Sequence, residues 1–267
     1  MTHWSDAARA ERDSARPGDV WLVGAGPGDP ELLTLKAARL IGEADIVFYD
    51  ALVGRGVLAL IRPGALTIAV GKRSGRHSID QHSINDLLIG AAREGGRVVR
   101  LKGGDPSIFG RSGEEIAALA SAGITVRICP GITTACAAAA GAVSSLTLRG
   151  LSRQLIFVTA HARAGEALDL DWAALAVEQS SLAIYMGRAA APEVARQLIG
   201  AGRAGTTPAV VAVKVSLPDE RLIHTRLDAL AFAVAAISGD APTMLLVGEA
   251  FADRGRVAAP ARIAIEA

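Results

Sequence analysis

Short apolar runs alternate with helical patterns along the first half of the chain, and this alternation limits the folds that the sequence can adopt. The runs predict buried strands at Val20–Gly24, Ile46–Tyr49, Leu66–Val70, Val98–Leu101 and Val126–Ile128. Strands that alternate with helices predict an α/β domain with a mostly parallel sheet. Ligands of such sheets bind beyond the carboxyl ends of the strands, so the loops that follow the strands are the first place to look for function.

Two capping signals predict helices between these strands. Asp29-Pro30-Glu31 predicts a helix start, with the aspartate as N-cap and the proline in the first turn. Ser112 and Glu115 have the spacing of a capping box, which predicts a helix over residues 115–122. Gly123 ends that helix.

The second half of the chain repeats the α/β pattern. Its predicted strands are Leu155–Thr159, Leu182–Met186, Ala209–Val215, Leu222–Thr225 and Met244–Gly248, and its predicted helices are Trp172–Ala176, Pro192–Ala201 and Leu227–Ile237. We therefore expect an N-terminal arm (1–18), an N-terminal α/β domain (19–147) and a C-terminal α/β domain (148–267), with mostly parallel or mixed sheets. A cleft between the two domains is the expected ligand site.

Composition excludes several classes of protein. A formal net charge of +1 over 267 residues removes the electrostatic reason to expect nucleic-acid or membrane-surface binding. No apolar run reaches the roughly 18 residues that a membrane span needs. Cys129 and Cys136 fit neither a disulfide framework nor a zinc site, and we expect both to be buried in a reducing cytoplasm. No metal site is predicted.

The segment Leu101-Lys102-Gly103-Gly104-Asp105-Pro106 is the strongest ligand-binding signal. A strand that stops at paired glycines lets the backbone approach a ligand closely, and Asp105 supplies a carboxylate for hydroxyl groups. Lys102 and Arg111 place positive charge on either side. The same residues also fit a plain turn before the next helix.

The glycine loop at residues 24–29 is not a dinucleotide or Walker loop. Asp29 stands where the dinucleotide fingerprint needs its third glycine, and Pro27 removes a backbone donor. The loop therefore favours a ligand without phosphate. A run of small residues at 130–141 predicts a helix that either packs closely on the sheet or touches a ligand with its first amides and threonines.

Charged residues follow two of the predicted strands. Asp50 comes after the strand that ends at Tyr49, and Lys72 comes after the strand that ends at Val70. Further cations at the same predicted edge are Arg73, Arg76, His77, Arg100, Lys102 and Arg111. Together they predict a basic rim suited to a polycarboxylate or phosphate ligand, although solvated surface turns would also explain individual members.

Several long motifs follow one another along the chain. They are Val-Gly-Ala-Gly-Pro-Gly-Asp-Pro from Val23, Tyr49-Asp50, Gly71-Lys72-Arg73, Arg100-Leu-Lys-Gly-Gly-Asp-Pro with Ile-Phe-Gly-Arg111, and Pro130-Gly-Ile-Thr133. These motifs and their order resemble the tetrapyrrole methylase family, and within it the uroporphyrinogen-III C-methyltransferases. The similarity runs from about residue 19 to 251 and is densest up to residue 134.

The resemblance implies a two-domain, homodimeric enzyme that transfers methyl groups from S-adenosyl-L-methionine to two ring carbons of uroporphyrinogen III, giving precorrin-2 and S-adenosyl-L-homocysteine. It implies Asp50 as proton acceptor and Lys72 as proton donor. The cofactor positions that it implies are Pro27, Gly103, Gly104, Asp105, Ile108, Thr133, Thr134, Met186, Val215 and Met244. The substrate positions are Arg73, Arg76, His77, Lys102 and Arg111.

The chain departs from the family pattern mainly on the expected substrate side. Ala51 stands where relatives often have Arg, and Leu148 where many have His. Another precorrin C-methyltransferase activity, or cofactor binding without turnover, are therefore the alternatives to methylation of uroporphyrinogen III.

Overall fold

The computed structural model describes residues 15–71, 80–161 and 168–252. Their contacts divide them into two units. The first comprises the chain up to Ala137 together with Val215–Asp219, and the second comprises Ala138–Lys214 together with the chain from Glu220 onward. The boundary between the units therefore lies about ten residues before the one expected at residue 147, and the segment Val215–Asp219 belongs to the first unit.

A parallel five-stranded sheet forms the centre of the first unit. Its strands are β1 (Val20–Gly24), β2 (Ile46–Tyr49), β3 (Leu66–Ala69), β4 (Val98–Lys102) and β5 (Val126–Cys129). Their spatial order is β3-β2-β4-β1-β5, and every pairing is parallel. The five strand predictions agree with these bounds to within one residue.

Alternate residues of β1 enter two separate cores, which explains its continuous apolar sequence. Trp21 and Val23 belong to a cluster that includes Leu40, whereas Val20 and Leu22 belong to a cluster that includes Leu88. Helices cover both faces. Those of the first unit are α1 (Leu35–Glu43), α2 (Arg55–Leu58), α3 (Gln81–Arg93), α4 (Ser112–Ser121) and the first part of α5 (Thr134–Gly141).

Three helix starts differ from the prediction. Asp29 is an N-cap, as predicted, and its side chain accepts from Glu31 N. The element that it caps is only a 3-10 turn, Pro30–Leu32, and α1 starts later with Thr34 as its N-cap. The capping box is wrong, because α4 already begins at Ser112 and Glu115 is a fully buried ion-pair partner. Helix α5 begins at Thr134 and not at residue 130, because residues 130–133 continue from β5 as a loop.

The second unit contains a mixed sheet in the order β6-β7-β10-β8-β9. Its strands are β6 (Gln154–Thr159), β7 (Ser180–Tyr185), β8 (Pro208–Val213), β9 (Arg221–Arg226) and β10 (Thr243–Val247), and its further helices are α6 (Trp172–Leu175), α7 (Ala191–Gly200) and α8 (Leu230–Ile237). Only β6 and β7 pair in parallel. The predicted helix over 227–237 begins as a 3-10 turn, Leu227–Ala229. The predicted α/β class, with mostly parallel and mixed sheets, is confirmed.

The two cysteines differ in exposure. Cys129 is buried as expected, but Cys136 is exposed, so its predicted burial is wrong. Ala140, four residues further along α5 and therefore on the same face of the helix, is exposed as well.

Three glycines bring the ends of β1 and β4 and the loop after β5 into backbone contact. A Cβ placed at Gly131 would lie 2.2 Å from the Gly104 oxygen and 2.8 Å from Gly24 Cα. A Cβ at Gly24 would lie 2.5 Å from Gly131 N. Because the neighbouring atoms are backbone, they cannot turn aside as a flexible side chain could. Glycine is therefore required for the three loops to meet at this edge.

We predict that Gly131→Ala destabilises the protein by about 1–3 kcal/mol, the usual cost of overpacking. Gly90→Ala is the matched control, since a Cβ at Gly90 in α3 would meet nothing within 4 Å and alanine favours a helix interior. Urea unfolding of the full-length variants measures both effects. A midpoint for Gly131→Ala equal to that of the wild type would contradict the proposed contact.

Candidate functional site

The carboxyl edge of the first sheet brings together most of the predicted ligand-binding positions. Those in the first unit are Pro27, Gly103, Gly104, Asp105, Ile108, Thr133, Thr134 and Val215. Parallel pairing explains the position of those that follow β1, β4 and β5, because these strands end at the same edge, whereas Val215 belongs to a segment that follows β8.

The loops after β1 and β4 are joined by backbone hydrogen bonds. Gly104 N donates to the Gly26 oxygen at 2.7 Å, and Gly26 N donates to the Gly104 oxygen at 3.2 Å. Gly104 has a φ of +68°, a conformation that favours glycine. A Cβ at Gly104 would lie 3.7 Å from Thr134 Oγ1, so the paired glycines and the start of α5 line the same small region.

Asp105 stabilises this region through hydrogen bonds to the protein itself. Its Oδ2 accepts from Gly131 N at 2.9 Å, and its Oδ1 accepts from Ser107 N at 2.8 Å and from the Ser107 hydroxyl. Asp105 therefore ties the loop after β4 to the loop after β5, in addition to any hydroxyl group that it could accept from.

The segment 215–219 packs against the glycine loop of the first unit. Asp29 N donates to Ser216 Oγ at 3.0 Å. A Cβ at Gly28 would lie 2.6 Å from a methyl carbon of Leu217. Strand β8 was predicted to extend to Val215, but it ends at Val213, and the chain then turns so that buried Val215 joins the first unit.

Met186 and Met244 lie in the second unit. Met186 directly follows β7, has a φ of +55° and is about half exposed. Met244 is buried in β10, where it pairs with Ala212 of β8.

Strained backbone conformations flank several of these positions. The non-glycine residues with positive φ include Phe109, Arg111, Met186, Lys214 and Ser216. Each such conformation costs on the order of 1–3 kcal/mol and is typical of ligand-binding segments. These residues follow β4, β7 and β8, as the predicted ligand positions Ile108, Met186 and Val215 do.

A chain of four alternating charges begins at Asp50 and leads into the core. Arg100 Nη2 donates to Asp50 Oδ1 at 2.6 Å, and Arg100 Nε donates to Glu115 Oε1 at 3.0 Å. Lys102 Nζ donates to Glu115 Oε2 at 2.8 Å. The Asp50 side chain is 30% exposed, whereas those of Arg100, Lys102 and Glu115 are almost fully buried. The two carboxylates balance the two cations.

The predicted basic rim therefore differs in two members. Arg100 and Lys102 are buried and paired inside the unit, where a rim would need them at the surface. Burial, and then the nearby Arg100, lower the pKa of Lys102, while Glu115 opposes that change.

Arg111 does lie at the surface, where Glu114 pairs with it at 2.8 Å. The hydrogen bonds that Arg111 donates to the Glu114 carboxylate raise the pKa of Arg111 and lower the pKa of Glu114. Exposed pairs of this kind are weak, so Arg111 can exchange its partner for a ligand carboxylate.

Glu115 is the buried ion-pair partner that the capping-box interpretation missed. Arg100 and Lys102 are two residues apart in a strand, so they share one face. Two cations on one face of a buried strand require a carboxylate nearby, and this signal could have identified Glu115 as their partner.

Lys72, Arg73, Arg76 and His77 lie outside the described residues. The residue before Lys72 is Gly71, and a Cβ at Gly71 would lie 2.2 Å from Ala51 N and 3.0 Å from Asp50 Cα. Gly71, the last described residue of this stretch, therefore lies in contact with the backbone of Asp50 and Ala51.

The part of the chain that the structure describes contains neither a group of side chains that could hold a metal ion nor a helix that could span a membrane. No group of three or more His, Cys, Asp and Glu side chains in residues 15–71, 80–161 and 168–252 is arranged to hold a metal ion. None of the helices in these ranges has the length and apolarity that a bilayer crossing requires.

Comparison with known proteins identifies the family. Residues 19–231 match the Tetrapyrrole (Corrin/Porphyrin) Methylases. A uroporphyrinogen-III C-methyltransferase of Paracoccus denitrificans is 48% identical, over 91% of this chain and 85% of that protein. The chain belongs to the tetrapyrrole methylase family.

Other relatives are longer than this chain. Siroheme synthase 1 of Yersinia enterocolitica is 47% identical over 90% of this chain, but over only 50% of its own length. The chain thus spans about half the length of the siroheme synthases that it matches.

Solved structures share the fold. The uroporphyrin-III C-methyltransferase of Thermus thermophilus, complexed with S-adenosylhomocysteine, has a TM-score of 0.74 and 40% identity, covering 87% of this chain and 98% of that one. A cobalt precorrin-4 methyltransferase has a TM-score of 0.79 and 31% identity, covering 88% and 97%.

We predict that Asp105→Ala destabilises the protein by about 1–3 kcal/mol, because it leaves the amides of Gly131 and Ser107 without their acceptor. Ser107→Ala is the control, since it removes only the hydroxyl contact. Urea unfolding compares the two variants. Equal midpoints for them would show that the Gly131 contact adds no stability.

Proposed function

We propose that the chain transfers two methyl groups from S-adenosyl-L-methionine to ring carbons of uroporphyrinogen III, giving precorrin-2. One observation carries this proposal. Asp50, which is ion-paired and partly exposed, lies at the same sheet edge as the glycine-lined loops after β1 and β4, and these loops do not have the sequence of a phosphate-binding loop. The name and the 48% identity of the Paracoccus relative support the choice of substrate.

The residues of this edge fit S-adenosylmethionine. The cofactor carries no phosphate, in agreement with Asp29 and Pro27 in the first loop. The proposed cofactor residues at this edge are Pro27, Gly103, Gly104, Asp105, Ile108, Thr133, Thr134 and Val215. The family resemblance adds Met186 and Met244 of the second unit to the proposal. When bound, the cofactor supplies an electrophilic methyl group on a sulfonium. The Thermus thermophilus complex with S-adenosylhomocysteine supports this assignment.

Asp50 and Lys72 are the proposed proton-transfer residues. Methylation of a pyrrole carbon places positive charge on the tetrapyrrole, which must then lose one proton. The Asp50 carboxylate is held in place by Arg100 and is partly exposed, so it can accept that proton. Lys72 is the proposed donor.

Substrate carboxylates require cations that can reach them. We propose Arg73, Arg76, His77 and Arg111 for this role, the last because its surface pair with Glu114 is easily exchanged. Lys102 was expected in this set. Its burial and its bond to Glu115 favour an indirect role instead, through the charge balance beside Asp50.

A second candidate is methylation of another precorrin. The TM-score of 0.79 to a cobalt precorrin-4 methyltransferase favours it, as does Ala51 beside Asp50. Since the fold is common to both activities, the number of methyl groups transferred to uroporphyrinogen III separates the candidates.

The family resemblance supports a homodimer, and the cysteine content supports a cytoplasmic location. The net charge of +1 supports a small-molecule substrate without a nucleic-acid partner. Analytical ultracentrifugation of the purified chain tests the dimer.

Anaerobic incubation with uroporphyrinogen III and S-adenosylmethionine tests the function, with the tetrapyrrole mass followed over time. We expect a gain of two methyl groups. One methyl group or none, with S-adenosylhomocysteine still bound by the protein, would contradict the proposal and favour either the second candidate or cofactor binding without turnover.

We predict that Asp50→Asn and Lys72→Ala lower kcat by about 10²- to 10⁴-fold, the usual contribution of an acid or base. The affinity for S-adenosylhomocysteine is expected to stay near that of the wild type. Asp86→Asn is the control, because Asp86 is an exposed carboxylate of α3. Wild-type turnover in both Asp50→Asn and Lys72→Ala would overturn their roles.

A further inference from the structure

We infer that Glu115 is a positioning residue for the Asp50 carboxylate and acts through Arg100. The inference rests on the proposed function, in which Asp50 accepts a proton. Glu115 itself is completely buried and bonds to Arg100 and Lys102. Of these two cations, Arg100 is the one that hydrogen-bonds to Asp50, so the effect of Glu115 on Asp50 passes through the guanidinium.

The geometry leaves the guanidinium little freedom. Arg100 Nε donates to Glu115 Oε1 at 3.0 Å, and Nη1 donates to the Leu101 oxygen at 3.2 Å. Because the guanidinium is planar and rigid, these two bonds determine the direction of the remaining nitrogen, Nη2. That nitrogen meets Asp50 Oδ1 at 2.6 Å.

The backbone of Asp50 is held by the same strand. Asp50 N donates to the Leu101 oxygen at 3.4 Å, the acceptor that Arg100 Nη1 also uses. Main chain and carboxylate of Asp50 are therefore both positioned from β4. Glu115 provides the bond that ties the guanidinium to α4.

Lys102 adds the charge that this arrangement needs. Without Lys102, one buried cation would lie between two carboxylates. With Lys102 bonded to Glu115 Oε2 at 2.8 Å, the four charges sum to zero. Removal of Glu115 alone would leave two cations in the core and is expected to impair folding.

Two double variants test the role without unbalancing the charge. E115Q/K102M and E115M/K102M each remove one anion and one cation, so that the remaining charges of Asp50 and Arg100 still balance. Gln and Met are similar in size, but the glutamine oxygen is a strong acceptor for Arg100 Nε, whereas the methionine sulfur is a weak one. The two double variants therefore differ in the hydrogen bond from Arg100 Nε to residue 115.

We expect the kcat of E115M/K102M on uroporphyrinogen III to be about 10- to 100-fold below that of E115Q/K102M, the range that misplacement of a catalytic group produces. KM and the Kd for S-adenosylhomocysteine should be the same in both variants. In the Asp50→Asn background, the difference in kcat between them should disappear, because it acts through Asp50.

Crystal structures of both double variants give a readout that does not depend on activity. We expect Arg100 to leave Asp50 in E115M/K102M and to remain beside it in E115Q/K102M. An unmoved Arg100, equal kcat values, or a kcat difference that persists in the Asp50→Asn background would each overturn the inference alone. An inactive wild type would overturn the proposed function, and the inference with it.

Discussion

Two cations on a face of β4 that is closed to water are the constraint on which the candidate site depends. Charge is tolerated in a protein core only when it is paired and hydrogen-bonded, so Arg100 and Lys102 require the carboxylate that α4 supplies. The position of α4 along the sheet and the direction of the Arg100 guanidinium are therefore linked. Asp50 lies at one end of this chain of charges, and its side chain is the one that is partly exposed to solvent.

Close backbone contact has the same importance for the neighbouring loops. Gly24, Gly104 and Gly131 allow the ends of two strands and the loop after a third to meet without side chains between them. Asp105 then joins two of these loops by accepting from Gly131 N. A ligand at this edge meets a surface of backbone atoms whose position is determined before it binds, which lowers the entropy cost of binding.

The segments after β4, β7 and β8 contain residues in strained backbone conformations. Arg111, Met186 and Ser216 adopt left-handed conformations that are unfavourable for side-chain-bearing residues. Ser216 belongs to the segment that leaves the second sheet and accepts a hydrogen bond from Asp29 in the first unit.

Most strands could be predicted from sequence. The reason is clearest for β1, β4 and β8, because a strand buried on both faces reads as a continuous apolar run. Helix starts were less predictable. Asp29 fits the cap of α1, yet Thr34 is the residue that caps it. Glu115 has the spacing of a capping-box residue, yet its carboxylate bonds to two cations of β4. A local sequence motif indicates which hydrogen bonds a side chain can form, but residues far away in the sequence determine which of them it forms in the folded protein.

The sequence by itself determined the α/β class, the family, and the strand ends at which Asp50 and the Gly103-Gly104-Asp105 loop lie, because these follow from apolar periodicity and local motifs. Only the tertiary structure decided that Lys102 is buried, that Asp105 holds the Gly131 amide, and that Val215 belongs to the first unit. These outcomes depend on contacts between residues far apart in the chain, and the energy of burying a charge or closing a backbone contact is defined only once the partners have met.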